Sequence, residues 1–349
     1  MKILAIETSC DETAAAIVGK GTKILSSSVA SSLEMHSKTG GVIPENAARE
    51  QVKYIIPVLR ETIEKLHSDL SFNEVITEEI DALAVTTGPG LIGSLLIGVE
   101  TAKTIAALFN KPIIPVNHVL AHVYANFLEN PKAIVFPALS LIVSGGHTEL
   151  FLMENIKSMK WLGGTRDDAA GEAFDKIARL LGLGYPGGPA IAAEAQEFRI
   201  KNHESRIKLP RPMLDSDSPE FSFSGLKTAV LREVNNFKTM KQFNNEAIQN
   251  IAFETQEAIT DVLVKKTLAT AEKYNVSSIL LGGGVSANFR LKEKFLSTIN
   301  NQQSAIQFFS PSPSLCTDNA AYIAGYAFFH YTPLPWHDIQ AHPDLSVEV

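Results

Sequence analysis

The chain has 349 residues, 45% of them hydrophobic, and a formal charge of −7 at pH 7 with histidine neutral. That length and apolar content supply a large core and favour two domains over one. The acidic balance excludes an obligate polycation, so any nucleic-acid contact must come from a local patch or a partner subunit. Two cysteines, Cys10 and Cys316, exclude a disulfide scaffold and point to a reducing compartment.

Residues 3–6 form an apolar run at once, too short for a signal-peptide core. A polar turn at 7–13 and a second apolar run at 14–18 predict a β-hairpin, and residues 23–31 add a third strand. A helix begins near Pro44, where proline suits the first turn, and runs toward Leu66 with Pro57 as a kink or break. Residues 81–86 read as a buried strand, 91–108 as a helix, 113–116 as a strand and 118–128 as a helix. This alternation predicts an α/β layer. No window approaches the roughly 20 apolar residues that span a bilayer, which makes the cytoplasm the default location.

The second half opens as the first does. Residues 138–143 are apolar, Ser144-Gly145-Gly146-His147-Thr148 makes a turn, and 150–153 resume the apolar run. Two strand-turn-strand units about 135 residues apart predict a duplicated βββαβα-type core with a cleft between the copies. Residues 168–182, 189–197, 224–235 and 244–274 read as helices inserted before a strand at 278–281. The polar, proline-containing stretch 202–219 reads as a mobile loop.

Asn117-His118-Val119-Leu120-Ala121-His122 sets two imidazoles four residues apart in a run that reads as helix. Four helical residues turn through about 400° and rise about 6 Å, so both rings leave one face and can hold one metal ion. The alternative is a pair of solvated or core histidines. A third ligand must come from elsewhere, and Asp318 is the candidate, where a polar loop at 312–319 meets an apolar helix.

Glycine-rich turns between strands let backbone N–H groups approach phosphate oxygens. Three such turns, at 144–148, 182–189 and 282–288, with a fourth at 87–94, predict a nucleotide site. The triple glycine Gly282-Gly283-Gly284, between a strand and a helix start, suits an anion best. None has the Walker form, which excludes a P-loop protein. Asp168, Glu172 and Asp175 share a helix face and call for a ligand, a metal or a Lys/Arg partner, although acids also suit a helix N-terminus. Arg199, Lys201, Arg206, Lys208 and Arg211 form a basic run that could track a phosphate backbone, or else a solvated face.

With these residues assembled, the chain resembles the TsaD family, once labelled O-sialoglycoprotein endopeptidase (Gcp, YgjD). The matching stretches cover nearly the whole chain: residues 6–13, 40–45, 87–91, 117–122, 143–148, 167–176, 185–189, 223–227 and 282–288. The chain departs from the family pattern at Ala48 and Gln51, where the family usually has Ser and His. The resemblance implies an ATPase fold of the actin, sugar-kinase and heat-shock chaperone type, with two lobes around a nucleotide cleft. The lobes expected are residues 1–117 plus about 325–349, and 118–324 with a helical insertion at about 168–275.

The implied activity is transfer of a threonylcarbamoyl group from threonylcarbamoyl-AMP to N6 of the adenosine beside the anticodon, in tRNAs that read codons beginning with A, with release of AMP. By match to the family motif, His118, His122 and Asp318 would hold one divalent metal, iron in preference to zinc. Leu141, Ile142, Val143, Ser144 and Gly145, with Asp175, Gly188 and Asn288, would bind the adenylate. Asp11 or Glu12, in the first hairpin turn, is the expected carboxylate that takes the amine proton. Expected partners are tRNA, a TsaB-like paralogue as heterodimer, a TsaE-like ATPase and an upstream TsaC-like adenylate synthase, with no membrane.

Three rival readings stand beside this one. A small-molecule kinase of the same fold class explains the glycine turns but not the histidine pair. A zinc peptidase would carry its general base beside the first histidine, where this chain has Val119. A non-enzymatic scaffold would bind nucleotide and recruit partners, and loss of product in a folded His118→Ala or Asp318→Ala chain separates it from the enzyme.

Overall fold

The structure, a computed structural model, describes residues 1–129, 131–201, 205 and 207–348. The chain forms two compact units, Met1–Ile134 with Pro311–Val349, and Val135–Ser310. Unit 1 opens with β1 (Lys2–Glu7), β2 (Glu12–Gly19) and β3 (Lys23–Ser31), then α1 (Leu33–Thr39), α2 (Pro44–Leu66) and α3 (Phe72–Glu78). β4 (Ala82–Gly88), α4 (Ile92–Phe109) and β5 (Ile113–Asn117) follow. Two short helices, α5 (His118–Ala121) and α6 (Ala125–Glu129), flank a 3-10 turn at His122–Tyr124.

Unit 2 begins with β6 (Ala138–Val143), β7 (Thr148–Asn155) and β8 (Ser158–Gly164). Its helices are α7 (Ala170–Leu181), α8 (Gly187–Ile200), α9 (Ser224–Thr239) and α10 (Asn245–Lys273). β9 (Ser278–Gly282), a 3-10 turn (Gly284–Ala287), α11 (Phe289–Asn301) and β10 (Gln307–Phe309) complete it. The chain then returns to unit 1 with α12 (Pro313–Cys316) and α13 (Ala320–Phe329).

Each unit carries a five-stranded sheet of the same design, ordered β3-β2-β1-β4-β5 in unit 1 and β8-β7-β6-β9-β10 in unit 2. In both, the first three strands pair antiparallel and the last two join the first in parallel. The expected duplication is therefore a duplication of topology. Strands β1, β4, β6 and β9 are buried almost throughout, which is why they read as unbroken apolar runs rather than alternating ones. Leu4, Ile17, Val58, Leu83 and Val99 lie in the core of unit 1, and Leu141, Phe174, Ile259, Leu281 and Phe295 in that of unit 2.

Four expectations need correction. The boundaries fall at 134/135 and 310/311 rather than 117/118 and 324/325, so His118, His122 and Asp318 all belong to unit 1. Pro57 lies inside α2 without dividing it. The expected helix over 118–128 is helical but interrupted by the 3-10 turn. Finally, α4 is long and apolar enough by length and composition to cross a membrane. In unit 1 it lays Leu95, Val99, Ala102 and Ala106 into the core beside β4. Of the expected mobile loop, residues 202–204 and 206 lie outside the described residues; the rest is irregular with a turn at 212–215.

The outer side of α2 and α4 is unusually apolar. Val52, Ile56, Leu96 and Leu108 are exposed there, Leu108 by 74%. With Phe72 and Ile97 they line a groove of about 890 Å³.

Candidate metal centre and glycine turns

Asn117 ends β5 and caps the helix that follows, its Oδ1 accepting from Val119 N at 3.0 Å and Leu120 N at 3.2 Å. That cap aims His118 inward, and the helical continuation brings His122 beside it with ring centroids 4.7 Å apart. Asp318 arrives from the return segment. It precedes Asn319, which caps α13 by accepting from Ala321 N and Tyr322 N. The Nε2 atoms of His118 and His122 lie 3.6 and 3.5 Å from Asp318 Oδ1. Tyr322, one turn into α13, donates its hydroxyl to the same oxygen at 3.4 Å.

The three donor groups lie within 4.8 Å of one another. Donors on a tetrahedral ion with bonds of about 2.0–2.2 Å stand about 3.3–3.6 Å apart, a spacing that both imidazole nitrogens already keep from Asp318 Oδ1. Two imidazoles and a carboxylate accept iron and zinc alike.

Glu7, absent from the expected site, supplies the orientation. It ends β1 fully buried, accepts from Ser9 N at 2.5 Å and from the Thr86 hydroxyl, and its Oε2 lies 3.2 Å from His118 Nδ1. Ser9 Oγ stands 3.2 Å from the same nitrogen. A carboxylate on one ring nitrogen directs the other toward a metal and makes it a better donor. In the sequence Glu7 stands only as the first polar residue after the apolar run 3–6, with nothing to name the partner that its burial demands.

Electrostatics bind these groups together. Burial alone would lower His118, but the charges of Asp318 and Glu7 and the Glu7 hydrogen bond raise it to about 9. Burial pushes Asp318 up to about 6 against the pull of His118, with Glu7 and Asp11 adding to the rise. Glu7 stays below the usual carboxylate range, because His118, Ser9 and Thr86 outweigh its burial.

Asp11 and Glu12, from the β1–β2 turn, gather with Asp318 in a second group whose oxygens lie within 4.8 Å of one another. Glu12 is pushed up to about 10 by burial, by its hydrogen bond with Asp11 and by the charges of Asp11 and Asp318. In the metal-free chain Glu12 therefore keeps its proton at neutral pH. Cys10 is raised by its burial and the same acids, so it remains a thiol.

Unit 2 gathers three of the four glycine turns. In the turn after β6, Ser144 N donates to His147 O at 2.9 Å and His147 N to Ser144 Oγ at 3.1 Å. Gly171, at the start of α7, approaches Ser144 O too closely for a Cβ, and Gly283 at φ +86° does the same against Val143 O. Asp175 accepts from Gly187 N at 2.6 Å, tying α7 to the start of α8 beside Gly188. Leu141, Ile142 and Val143 bury their side chains in the sheet, leaving backbone atoms as their contact groups. Asn288 caps α11 by accepting from Leu291 N at 3.1 Å, and its amide donates to Gln256 at 3.2 Å. The helix expected directly after the triple glycine starts one 3-10 turn later. The fourth glycine turn belongs to unit 1, where Leu91 N donates to Ser9 O at 2.8 Å.

Two charged clusters resolve into structural roles. Lys176 bridges Asp168 at 2.6 Å and Glu172 at 2.8 Å, while Asp167 accepts from Phe223 N and Ser224 N at the start of α9. In the basic run, Arg199 pairs with Glu293, Arg211 with Glu254 and Asp261, and Lys201 donates to Gln249. Arg206 lies outside the described residues. Lys208 is exposed.

A family model described as TsaD, tRNA N6-adenosine threonylcarbamoyltransferase, matches residues 23–325. Curated relatives bearing the name tRNA N6-adenosine threonylcarbamoyltransferase include that of Syntrophomonas wolfei, 49% identical over 94% of this chain and 92% of its own length. That of Moorella thermoacetica is 46% identical over 99% of this chain and 97% of its own. Among solved structures, HypF in a phosphate- and nucleotide-bound form superposes with a TM-score of 0.59 at 13% identity, over 94% of this chain and 55% of that one. Component A of the Acidaminococcus fermentans (R)-2-hydroxyglutaryl-CoA dehydratase gives 0.51 at 14%, over 94% and 98%. These structural likenesses bear on the fold alone, a two-unit α/β fold in which one sheet topology occurs twice, in keeping with the expected fold class.

Glu7→Gln should weaken binding of iron or zinc by about 10- to 100-fold while the chain stays folded; titration with a competing chelator checks it, and unchanged affinity would remove the orienting role. The metal-free chain holds a proton on His118 up to about pH 9, and a cation must displace it. The sign is therefore weaker binding as pH falls below 9, by about tenfold per unit while one proton is released. An affinity flat between pH 6 and 9 would contradict the assignment.

Proposed function

We propose that this chain, which belongs to the TsaD family of tRNA N6-adenosine threonylcarbamoyltransferases, transfers the threonylcarbamoyl group of threonylcarbamoyl-AMP to N6 of the adenosine beside the anticodon. The acceptors are tRNAs that read codons beginning with A, and AMP is released. One divalent metal, iron in preference to zinc, is held by His118, His122 and Asp318. The convergence of both Nε2 atoms on one carboxylate oxygen supports this reading most, because a kinase of the same fold has no use for it. A peptidase reading gains nothing, since Val119 follows His118.

The reaction asks for little covalent work. The mixed carboxylic-phosphoric anhydride is already activated, so the protein must orient a weak amine and stabilise an oxyanion. When bound, the metal supplies Lewis acidity toward a carbonyl or phosphate oxygen. A bond forms between N6 and the carbamoyl carbon, the bond from that carbon to the phosphate oxygen breaks, and AMP leaves with the electron pair. Asp11 takes the amine proton. Glu12, already protonated in the metal-free chain, is the poorer base of the two. We assign the adenylate to Leu141–Gly145, Asp175, Gly188 and Asn288, whose turns offer backbone N–H groups with open space at Gly145 and Gly188.

tRNA as acceptor makes a cytoplasmic setting part of the same proposal. So is the partner set: a TsaB-like paralogue as heterodimer, a TsaE-like ATPase, and a TsaC-like enzyme that makes the adenylate. The apolar groove over α2 and α4 supports a stable protein partner, since single chains rarely leave such a surface to water. The basic run supports tRNA contact less than its composition suggests, because Arg199 and Arg211 are already paired.

Purified protein mixed with threonylcarbamoyl-AMP and unmodified tRNA, with and without the partners, should yield the modified nucleoside; its absence with every partner present would refute the reading. Asp11→Asn should slow transfer by about 10²- to 10⁴-fold and leave adenylate and metal binding intact, and undiminished turnover would remove Asp11 as the base. Leu108→Glu should abolish co-elution with the TsaB-like partner while metal content holds. Persistent co-elution would move the interface elsewhere.

A further inference from the structure

The β1–β2 turn that presents Asp11 and Glu12 has no regular structure of its own, yet each of its carbonyls meets a donor. Leu91 N reaches Ser9 O at 2.8 Å, and Ser32 N and Oγ reach Asp11 O at 3.1 and 2.7 Å. The other three carbonyls share one side chain. Gln51, on α2 and 1% exposed, directs its Nε2 to Cys10 O at 3.0 Å, Glu12 O at 3.1 Å and Thr8 O at 3.3 Å. Ser94 Oγ assists at Cys10 O, 3.3 Å away.

The chemistry of this contact is specific. A primary amide carries two N–H donors on one nitrogen, and a cage of carbonyl oxygens accepts that end alone. Rotating the amide would set oxygen against three oxygens, so its orientation is determined by its surroundings. An aliphatic side chain of the same size would fill the space and leave buried carbonyls unpaired. Gln51 is also one of the two positions where the chain departs from the pattern of the family it resembles.

We propose that Gln51 is a positioning residue for transfer: its carboxamide gathers the carbonyls on both sides of Asp11 and so sets where the Asp11 carboxylate stands relative to Asp318. The proposal rests on the reading of Asp11 as the base. The hydrogen bonds of Gln51 go to backbone carbonyls, so it acts through the backbone of the turn. Misplacing a reacting group by about 1 Å costs on the order of 100-fold in rate, which sets the scale of the expected loss.

The test compares Gln51→Leu, Gln51→His, Asp11→Asn and the double variant Gln51→Leu/Asp11→Asn in the full chain with its partners, measuring kcat and KM for transfer, iron and zinc content and melting temperature. The expected result for Gln51→Leu is a kcat lower by about 100-fold with KM for the adenylate and iron and zinc content unchanged. Gln51→His, which restores a ring N–H, should regain part of that kcat. In the Asp11→Asn background, Gln51→Leu should cost nothing further, because the two act through one carboxylate.

Wild-type kcat in Gln51→Leu would overturn the proposal, as would equal losses in both backgrounds or a loss that tracks iron and zinc content or melting rather than Asp11. Full activity of Asp11→Asn would instead overturn the assignment of the base, whatever Gln51 does. Loss in Asp11→Asn with none in Gln51→Leu would remove the Gln51 role alone.

Discussion

Asp318 brings a carboxylate from the returning segment of the chain against two imidazoles that the first pass through unit 1 has already buried. The contact closes unit 1 as well as the site, since α13, which follows Asp318 directly, packs on β1 and β2. Its electrostatics are unbalanced. Glu7 and Asp318 face His118, Asp318 also faces His122, Asp11 and Glu12 gather with Asp318, and burial drives Asp318 and Glu12 toward the protonated form. A buried excess of carboxylates is costly unless something positive joins it. In the proposed reading a divalent cation at the convergence of the Nε2 atoms would supply that charge, and the 3.5 and 3.6 Å from the two Nε2 atoms to the shared Asp318 oxygen suit its bonds.

The surrounding fold holds this arrangement by backbone contacts more than by side-chain pairs. In unit 1 the carbonyls of the β1–β2 turn are taken up by donors from α2, α4 and the start of α1. Unit 2 treats its own first turn in a related way, with Gly171 and Gly283 closing on Ser144 and Val143 where a side chain would obstruct. The same sheet topology thus carries two different candidate sites. One turn presents Asp11 and Glu12 beside Asp318; the other presents open backbone at Gly145 and Gly146, as a bound phosphate would require.

Much of this was legible in the sequence, for identifiable reasons. Strands buried on both faces appear as apolar runs, so β1, β2, β4, β6 and β9 and the repeat they form could be read directly. β8 could not, because Lys160 and its half-exposed neighbours erase the signal. The histidine pair was visible through spacing, and Asp318 through the apolar helix that begins after it. Glu7 and Gln51 were not, since their roles depend on His118, Thr8, Cys10 and Glu12, which only the fold brings to them. The pairing within the basic run was hidden for the same reason: the acids that pair Arg199 and Arg211 lie on α10 and α11, far along the chain. The first unit boundary was placed too early and the second too late, because the chain crosses both without any change in composition.

X-ray anomalous scattering at the iron and zinc edges, on crystals of the purified protein, would locate the ion itself. One strong peak is expected at bonding distance, about 2.0–2.2 Å, from His118 Nε2, His122 Nε2 and an Asp318 oxygen together. A peak elsewhere, or full metal content with no peak among those three side chains, would contradict the metal assignment.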